Sequence, residues 1–277
     1  MTKVALITGG ASGMGLAVAK ALSLQKDWEI HILDINSERG AEAAKELSRT
    51  TFHYVNVTRY SDLAAAFQSM FQQHGKLDFV FANAGVIERT NFYSTPQAEN
   101  DRDVCPPPEP NLLSIDADLK GVVFTAYLAQ HYFRHSSHKG QGGSLVMTAS
   151  CGGLYPSFYS PLYSAAKFGV VGFMRSISQH FHASGIRVNA ICPGIVRTNL
   201  VDPAGWDSFP PGRFIEVETI ARLVIQHLPL EELYGVAMEI SDSGFYFRDQ
   251  HAFCDEGMRE VMDATVVENQ VGAVLNG

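Results

Sequence analysis

The segment Lys3–Leu22 reads KVALITGGASGMGLAVAKAL. Lys3 to Thr8 is a short apolar run, as expected for a parallel strand that is buried on both faces. Leu16 to Leu22 is rich in Ala and Leu, which are strong helix formers. A strand, a glycine-rich turn and a helix in this order are typical of a phosphate-binding site at the start of a parallel α/β sheet.

The turn itself has the spacing TGxxxGxG from Thr8 to Gly15. Gly9 permits a tight turn after the strand. Gly13 and Gly15 let a pyrophosphate approach the backbone at the start of the helix, whose free N–H groups and dipole favour an anion. The alternative is a tight strand–helix turn that binds no ligand.

A second apolar strand, Trp28–Asp34, ends in an acid. The acid lies about 20 residues beyond the glycine turn, where a carboxylate meets the hydroxyls of an adenosine ribose. Ile35 and Asn36 follow it, so no Arg or Lys is adjacent to meet a 2′-phosphate, and the charge of Asp34 would repel one. The sequence therefore favours NAD over NADP. The alternative is that Asp34 caps a helix beginning at Ser37.

Strands and helices alternate along the rest of the chain. We expect further strands over 51–56, 77–82, 144–148, 185–192 and 235–240, and helices over 37–48, 60–74, 112–135, 161–183, 215–228 and 255–262. This rhythm predicts an α/β fold, a doubly wound parallel sheet of about seven strands with helices on both faces. We expect one domain over residues 1–248 and a C-terminal extension over 249–277.

Two irregular segments interrupt this rhythm. Residues 88–111 are polar and proline-containing, and loops of this length are uncommon unless they are functional or flexible. Residues of about 199–214 contain several prolines and glycines. We interpret the first segment as a surface excursion and the second as a mobile lid over a substrate.

The segment Tyr163-Ser-Ala-Ala-Lys167 places a phenol and an ammonium on one face of a helix, one turn apart. The ammonium favours the phenolate and lowers the pKa of Tyr163 from its ordinary value of about 10, which would make it a general acid/base. Ser150, just past the fifth strand, could hydrogen-bond the same substrate oxygen. The alternative is an amphipathic helix with one buried tyrosine and one lysine whose stem covers apolar surface.

Composition excludes several classes of partner. The formal net charge is −8, which argues against a nucleic-acid partner. Cys105, Cys151, Cys192 and Cys254 lie far apart, which fits reduced thiols and predicts no metal site. The N-terminal apolar run is too short for a signal peptide, and no run approaches the roughly 18 apolar residues of a membrane span. We therefore expect a cytoplasmic protein with no membrane partner.

Seven motifs in a fixed order carry a family resemblance over about residues 1–248. They are TGGASGMG from Thr8, Asp34, NVT at Asn56, NAG at Asn83, Ser150, YSAAK at Tyr163 and PGIVRT at Pro193. Together they resemble the short-chain dehydrogenase/reductase family. The resemblance implies a Rossmann-like fold and reversible hydride transfer between a nicotinamide and a carbinol.

The resemblance also implies roles for individual residues. Ser150 would orient the substrate oxygen, Tyr163 would exchange its proton, and Lys167 would lower the tyrosine pKa and hold the nicotinamide ribose. The implied NAD-binding residues are Gly9, Ser12, Gly13, Met14, Gly15, Asp34, Ile35, Asn56, Val57, Asn83, Ala84, Gly85, Tyr163, Lys167, Pro193, Gly194, Val196 and Thr198.

Asp118 departs from the family pattern, which has a catalytic asparagine at this position. We count Asp118 as a catalytic residue, because an anion near Lys167 would stabilise the ammonium and raise the pKa of Tyr163. The alternative is that Asp118 turns to solvent or pairs with another base.

The C-terminal half resembles the NAD-dependent hydroxyprostaglandin dehydrogenase branch, through RVNAICPG from Arg187 and YGVAMEIS from Tyr234. This suggests that the protein interconverts a secondary alcohol and a ketone on an apolar small molecule. Two alternatives stay open: a ketone reductase in a biosynthetic route, which Asp34 disfavours, and a non-catalytic dinucleotide-binding sensor or scaffold.

The family commonly pairs subunits through two long helices, here those over 112–135 and 161–183. We therefore expect a homodimer or homotetramer. The apolar residues on these helices, available for subunit contact or for core packing, are Val122, Tyr127, Phe168 and Phe173.

Overall fold

The computed structural model describes residues 2–94, 105–201, 203–228 and 233–266. The strands are β1 (Lys3–Thr8), β2 (Trp28–Asp34), β3 (Thr50–Tyr54), β4 (Phe79–Ala82), β5 (Ser144–Thr148), β6 (Arg187–Pro193), β7 (Ala237–Ser241) and β8 (Gly244–Arg248). The α-helices are α1 (Gly13–Ser23), α2 (Ser37–Glu46), α3 (Tyr60–His74), α4 (Leu113–Ile115), α5 (Gly121–His135), α6 (Pro161–Ala183), α7 (Val217–Arg222) and α8 (Glu256–Asp263).

All described strands belong to one eight-stranded sheet with the order β3-β2-β1-β4-β5-β6-β7-β8. The pairs from β3 to β7 are parallel, so the predicted Rossmann-like, doubly wound sheet is confirmed. Strand β8 is antiparallel to β7, and the sequence analysis did not predict it. The strand order reverses between β1 and β4, and ligands bind at the carboxyl ends of strands beside such a switch point.

The core consists of two apolar layers, one on each face of the sheet. Successive side chains of a strand point to opposite faces. Leu6 therefore packs with the layer covered by α3, α5 and α6, whereas Ile7 packs with the layer covered by α1 and α7. Both layers are closed, so the site forms at an end of the sheet rather than on a face.

A π-helical turn, Asp116–Lys120, joins α4 to α5, where the sequence predicted one helix over 112–135. A second π turn, Leu223–His227, follows α7. A π turn adds a residue to a helical turn and frequently occurs at a functional site. The first of these turns carries Asp118, which is fully buried.

Three histidines form a chain of rings on the α3 side of the sheet, of which His31 is buried and the other two are half-buried. His31 of β2 lies with its Nδ1 2.8 Å from Nε2 of His53 on β3, and with its Nε2 2.9 Å from Nε2 of His74 at the end of α3. Burial lowers the pKa of His31 to about 3, and the neighbouring charges of His53 and His74 act in the same direction. The sequence analysis did not single out these residues.

The C-terminal segment contains the short helix that the sequence predicted. Helix α8 begins at Asp255, whose side chain accepts a hydrogen bond from the Met258 amide, and none of its residues is buried. The boundary between a domain at 1–248 and an extension stays a prediction, and residues 267–277 and 95–104 lie outside the described part of the chain. Among the described residues, no helix is long and apolar enough to cross a membrane.

Candidate active site

Lys167 lies at the centre of a buried polar cluster at the carboxyl ends of β4 and β5. Its Nζ is 3.0 Å from the Thr148 carbonyl oxygen, 3.1 Å from Oδ2 of Asp118 and 5.4 Å from the centroid of the Tyr163 ring. Burial alone would lower the pKa of Lys167, but the charges of Asp118 and Tyr163 outweigh it and the net direction is upward. The lysine therefore stays an ammonium in the folded protein.

Asp118 is held by the chain segment that follows β4. Its Oδ1 accepts a hydrogen bond of 2.7 Å from the Val86 amide. A Cβ atom on Gly85 would lie 3.1 Å from the same carboxylate, so a glycine leaves room for it. Burial raises the pKa of Asp118, while Lys167 and the Val86 amide oppose that rise. The aspartate thus pairs with the lysine and does not turn to solvent.

Tyr163 and Ser150 meet beside the lysine. Ser150 acts on the Tyr163 hydroxyl by lowering its pKa, and the Oγ of Ser150 accepts a hydrogen bond of 3.1 Å from the Gly152 amide. Burial raises the pKa of Tyr163; Lys167 and Ser150 lower it, and Asp118 raises it further. Lys167 therefore lowers the pKa of Tyr163 as the sequence predicts. Burial outweighs this effect, so the net shift of the pKa is upward.

The glycine turn is closely packed. Gly9 and Gly13 adopt φ values of +64° and +53°, in the left-handed region that side chains disfavour. A Cβ on Gly15 would lie 2.2 Å from the Gly9 carbonyl oxygen, and one on Gly13 would lie 3.1 Å from Thr198. Side chains at these positions would crowd the turn itself or Thr198, so the glycines permit a tight turn that leads directly from β1 into the N-terminus of α1, which favours a pyrophosphate.

Asp34 ends β2 beside the glycine turn. Its Oδ2 accepts a hydrogen bond of 3.1 Å from Ala11, and its Oδ1 accepts one of 3.0 Å from Asn36. Each carboxylate oxygen can accept a second hydrogen bond, so the group can still bind two ribose hydroxyls. The alternative that Asp34 caps α2 is wrong, because the Asn36 side chain makes that cap by accepting from Arg39.

Asn83 joins three strands at the switch point. Its Nδ2 donates to the Thr8 carbonyl at 3.2 Å, and its Oδ1 accepts from Thr148 Oγ1 at 3.1 Å. The Asn83 and Ala84 amides both donate to Thr8 Oγ1. These bonds fix the carboxyl ends of β1, β4 and β5 relative to one another, which places Gly85 beside Asp118.

The other predicted cofactor residues border the same end of the sheet. Asn56 Oδ1 closes a turn by accepting from the amide and hydroxyl of Thr58, which packs Val57 near Gly121. Ile35 is 60% exposed just after Asp34. Three of the remaining residues lie at or after the end of β6: Pro193 ends the strand, the Gly194 amide donates to the Ile240 carbonyl, and Val196 forms a β-bridge with Ile215. The other two lie at the start of α1, where Ser12 precedes the helix and Met14 is in its first turn.

Two features of the site were missed by sequence reasoning. Glu88 reaches the first turn of α6, and the one available signal was an acid just after the NAG turn. Phe158 and Tyr159, in the loop before α6, are 82% and 85% exposed. Exposed aromatic rings near an active-site loop provide apolar surface at its entrance.

Comparison with known proteins identifies the class of protein. The model of the short chain dehydrogenase family matches residues 3–207. The chain therefore belongs to this family, and it is an oxidoreductase of a class that binds a nicotinamide dinucleotide. The tight glycine turn at the N-terminus of α1 and the free acceptor capacity of Asp34 fit such a group.

Individual relatives agree with that assignment. The chain is 88% identical to the short-chain dehydrogenase/reductase prx7 of Penicillium rubens, covering 95% of this chain and all of that protein. It is 31% identical to human 15-hydroxyprostaglandin dehydrogenase [NAD(+)], covering 89% of this chain and 94% of that protein. The solved structure of levodione reductase superposes with a TM-score of 0.71 at 25% identity, over 87% of this chain and 96% of that one.

Proposed function

We propose that this protein uses NAD to interconvert a secondary alcohol and a ketone on an apolar small molecule. One observation carries the proposal: the Lys167 ammonium lies between Asp118 and the Thr148 carbonyl, 5.4 Å from the centroid of the Tyr163 ring. This arrangement joins a proton-exchanging group to a fixed positive charge in a site from which water is largely excluded.

The side chains divide the chemistry among them. NAD, when bound, supplies the hydride acceptor. Ser150 donates a hydrogen bond to the substrate oxygen, and Tyr163 takes the hydroxyl proton of the alcohol. The ammonium of Lys167 stabilises the phenolate, and Asp118 holds that ammonium in place. In the reverse direction Tyr163 returns the proton to the carbonyl oxygen of a ketone.

Asp34 is the residue that would select NAD. Its carboxylate accepts from ribose hydroxyls and repels a 2′-phosphate, and the human relative carries NAD(+) in its name. The test compares kcat/KM for NAD and NADP in the wild type, Asp34→Ala and the control Glu38→Ala, an exposed acid at the start of α2. We expect the wild type and the control to prefer NAD. In Asp34→Ala the difference between kcat/KM for NAD and kcat/KM for NADP should be smaller. A wild-type preference for NADP would overturn the proposal.

The loop before α6 supports an apolar substrate. Phe158 and Tyr159 lie between Ser150 and Tyr163 in the sequence, and most of their surface is exposed. A panel of secondary alcohols of graded hydrophobicity, assayed with NAD by NADH absorbance, tests this. We expect kcat/KM to rise with apolar surface, and an optimum among small, strongly hydrophilic alcohols would refute it.

Ketone reduction is a second candidate direction, favoured by one observation. Burial raises the pKa of Tyr163, which keeps the phenol protonated and able to donate to a ketone. Rates of ketone reduction with NADH and alcohol oxidation with NAD, each measured from neutral to alkaline pH, decide the direction. We expect reduction to dominate near neutral pH and oxidation to gain as the pH rises toward the pKa of Tyr163.

We also propose a homodimer or homotetramer. Tyr127 on α5 and Phe168 on α6 are 65% and 45% exposed, whereas Val122 is buried and Phe173 packs against the core. Two of the four candidate residues therefore serve the core, and two offer apolar surface. Light scattering at micromolar concentration should show a dimer or larger species; a monomer would exclude this assembly.

A further inference from the structure

The first turn of α6 is capped in an unusual way. Ser160 occupies the N-cap position, yet its side chain makes no bond to the helix, and its Oγ lies 3.0 Å from Oγ of Ser157. Pro161 has no N–H group, and the Ser164 amide donates to the Ser160 carbonyl at 2.9 Å. The amides of Leu162 and Tyr163 are the first-turn donors that still need partners.

Glu88 supplies both partners from a distant part of the sequence. Its Oε2 accepts from the Leu162 amide at 2.8 Å and from the Tyr163 amide at 3.2 Å. A carboxylate at this place also carries the charge that a helix N-terminus favours. The second oxygen, Oε1, is buried and has no hydrogen-bond partner among the described residues. Glu88 thus replaces the local N-cap side chain.

The same short segment holds the other half of the polar cluster. The Val86 amide donates to Asp118 Oδ1 at 2.7 Å, and Asp118 contacts Lys167. Val86 and Glu88 are two residues apart in the chain. Glu88 contacts the backbone of Tyr163, and Val86 contacts the partner of Lys167. Both contacts come from one segment after β4, so that segment holds the first turn of α6 and the partner of Lys167 at the same time.

We infer that Glu88 is a positioning residue for Tyr163, acting through the first turn of α6. The inference rests on the proposed acid/base role of Tyr163, whose own backbone N–H is one of the two donors that Glu88 binds. Proton transfer needs the hydroxyl to be held at hydrogen-bonding distance from the substrate oxygen. A frayed first turn would widen the range of positions of that hydroxyl without touching the glycine turn.

The test compares Glu88→Ala, Glu88→Gln and the matched control Ser160→Ala in the full-length protein. The amide oxygen of Gln can still accept both backbone bonds, whereas Ala accepts none. Amide hydrogen exchange over a peptide covering 161–167 reports the opening of the turn. We expect exchange about 10-fold faster in Glu88→Ala, from the usual effect of losing a cap, and near-wild-type exchange in Glu88→Gln and Ser160→Ala.

Kinetics provide the second measurement. We expect kcat of Glu88→Ala to fall by about 10-fold while KM for NAD stays within about twofold, the pattern of an interaction that acts in the transition state. Glu88→Gln should recover most of kcat. If Glu88→Ala does not fold, Glu88→Asp, whose shorter side chain cannot reach both amides, replaces it.

Three results would overturn the inference: unchanged exchange in Glu88→Ala, an equal effect in Ser160→Ala, or no recovery in Glu88→Gln. Failure of the proposed function has a different signature. In that case the wild type would show no turnover with any alcohol or ketone, while the exchange contrast between Glu88→Ala and Glu88→Gln would persist.

Discussion

Two polar clusters of this protein, each centred on a buried base, differ in the charge of the groups that contact that base. In the active-site cluster, Lys167 contacts Asp118, and the pKa of the lysine is raised. In the histidine chain, His31 contacts two further bases, and its pKa is lowered to about 3. Burial opposes the charged form in both places.

Burial sets the direction where no opposite charge is near, as at His31, and it is outweighed where one lies at hydrogen-bonding distance, as at Lys167. An opposite charge at hydrogen-bonding distance retains the ammonium, which can then act on Tyr163. His31 is flanked by two further histidines instead, so burial and their charges both lower its pKa, and its ring stays neutral between them. One cluster is suited to proton exchange, and the other is a packed element of the fold.

The largest expected effect follows from removing the proton-exchanging group of the charged cluster. Tyr163→Phe deletes one hydroxyl and keeps the ring, so packing should survive. Turnover should fall by about 10²- to 10⁴-fold, the usual contribution of a positioned acid/base. The measurement is steady-state kcat together with the NADH dissociation constant, which should be unchanged; turnover close to wild type would remove Tyr163 from the mechanism.

Neutralising Asp118 should change the pH dependence more than the rate. Alcohol oxidation needs the phenolate of Tyr163, so the acidic limb of kcat/KM reports the pKa of that group. Asp118 raises this pKa. Asp118→Asn removes the anion but can still accept from Val86, so the limb should move to lower pH.

The control for this variant is Asp116→Asn, which lies in the same π turn and pairs with the partly exposed Lys120. Its profile should coincide with the wild type. A limb that moves to higher pH in Asp118→Asn, or two variants that behave alike, would exclude a direct effect of the Asp118 charge on the pKa of Tyr163.

The histidine chain should make the fold sensitive to acid. The folded pKa of His31 lies below its unfolded value of about 6.5, so the unfolded state binds more protons as the pH falls between these values. The neutral His31 therefore contributes to the unfolding free energy at pH 7. This contribution shrinks below about pH 6.5, where the unfolded state takes up a proton. From pH 7 to pH 5, His31 alone should lower the unfolding free energy by about 2 kcal/mol.

Urea denaturation at both pH values, for the wild type, His31→Gln and the exposed control His251→Gln, measures this contribution. The drop between pH 7 and pH 5 should be smaller in His31→Gln and unchanged in the control. An equal drop in all three proteins would show that His31 is protonated in the folded state.

Strands and helices whose signals lie within one continuous stretch of sequence were predicted well. The bounds of β1, β2 and β5 and of helices α3 and α6 coincide with the predictions, because an apolar run or a helical stripe and its end signals lie together in the sequence. The glycine turn and the YSAAK segment are of the same kind. Each carries its geometry within one turn or one helix.

The features that were missed depend on contacts between distant residues. Glu88 meets α6 across more than 70 residues, and His31 meets His74 across 43. Strand β8 has exposed aromatic side chains, without the alternation that marks a half-buried strand, and it is set by pairing with β7. The pKa of Tyr163 is raised from its ordinary value by burial, and the spacing of Tyr163 and Lys167 does not reveal that burial.

The π turn at Asp116–Lys120 makes the protein sensitive to chain length as well as to side-chain identity. An α-helix rotates by about 100° per residue, and a π turn accommodates one residue more per turn. Deleting one residue between α4 and Asp118 would let the helix regularise, which changes the face on which the carboxylate lies relative to α5. A one-residue deletion here would separate Asp118 from Lys167 while leaving both residues in the sequence, an outcome that no substitution reproduces.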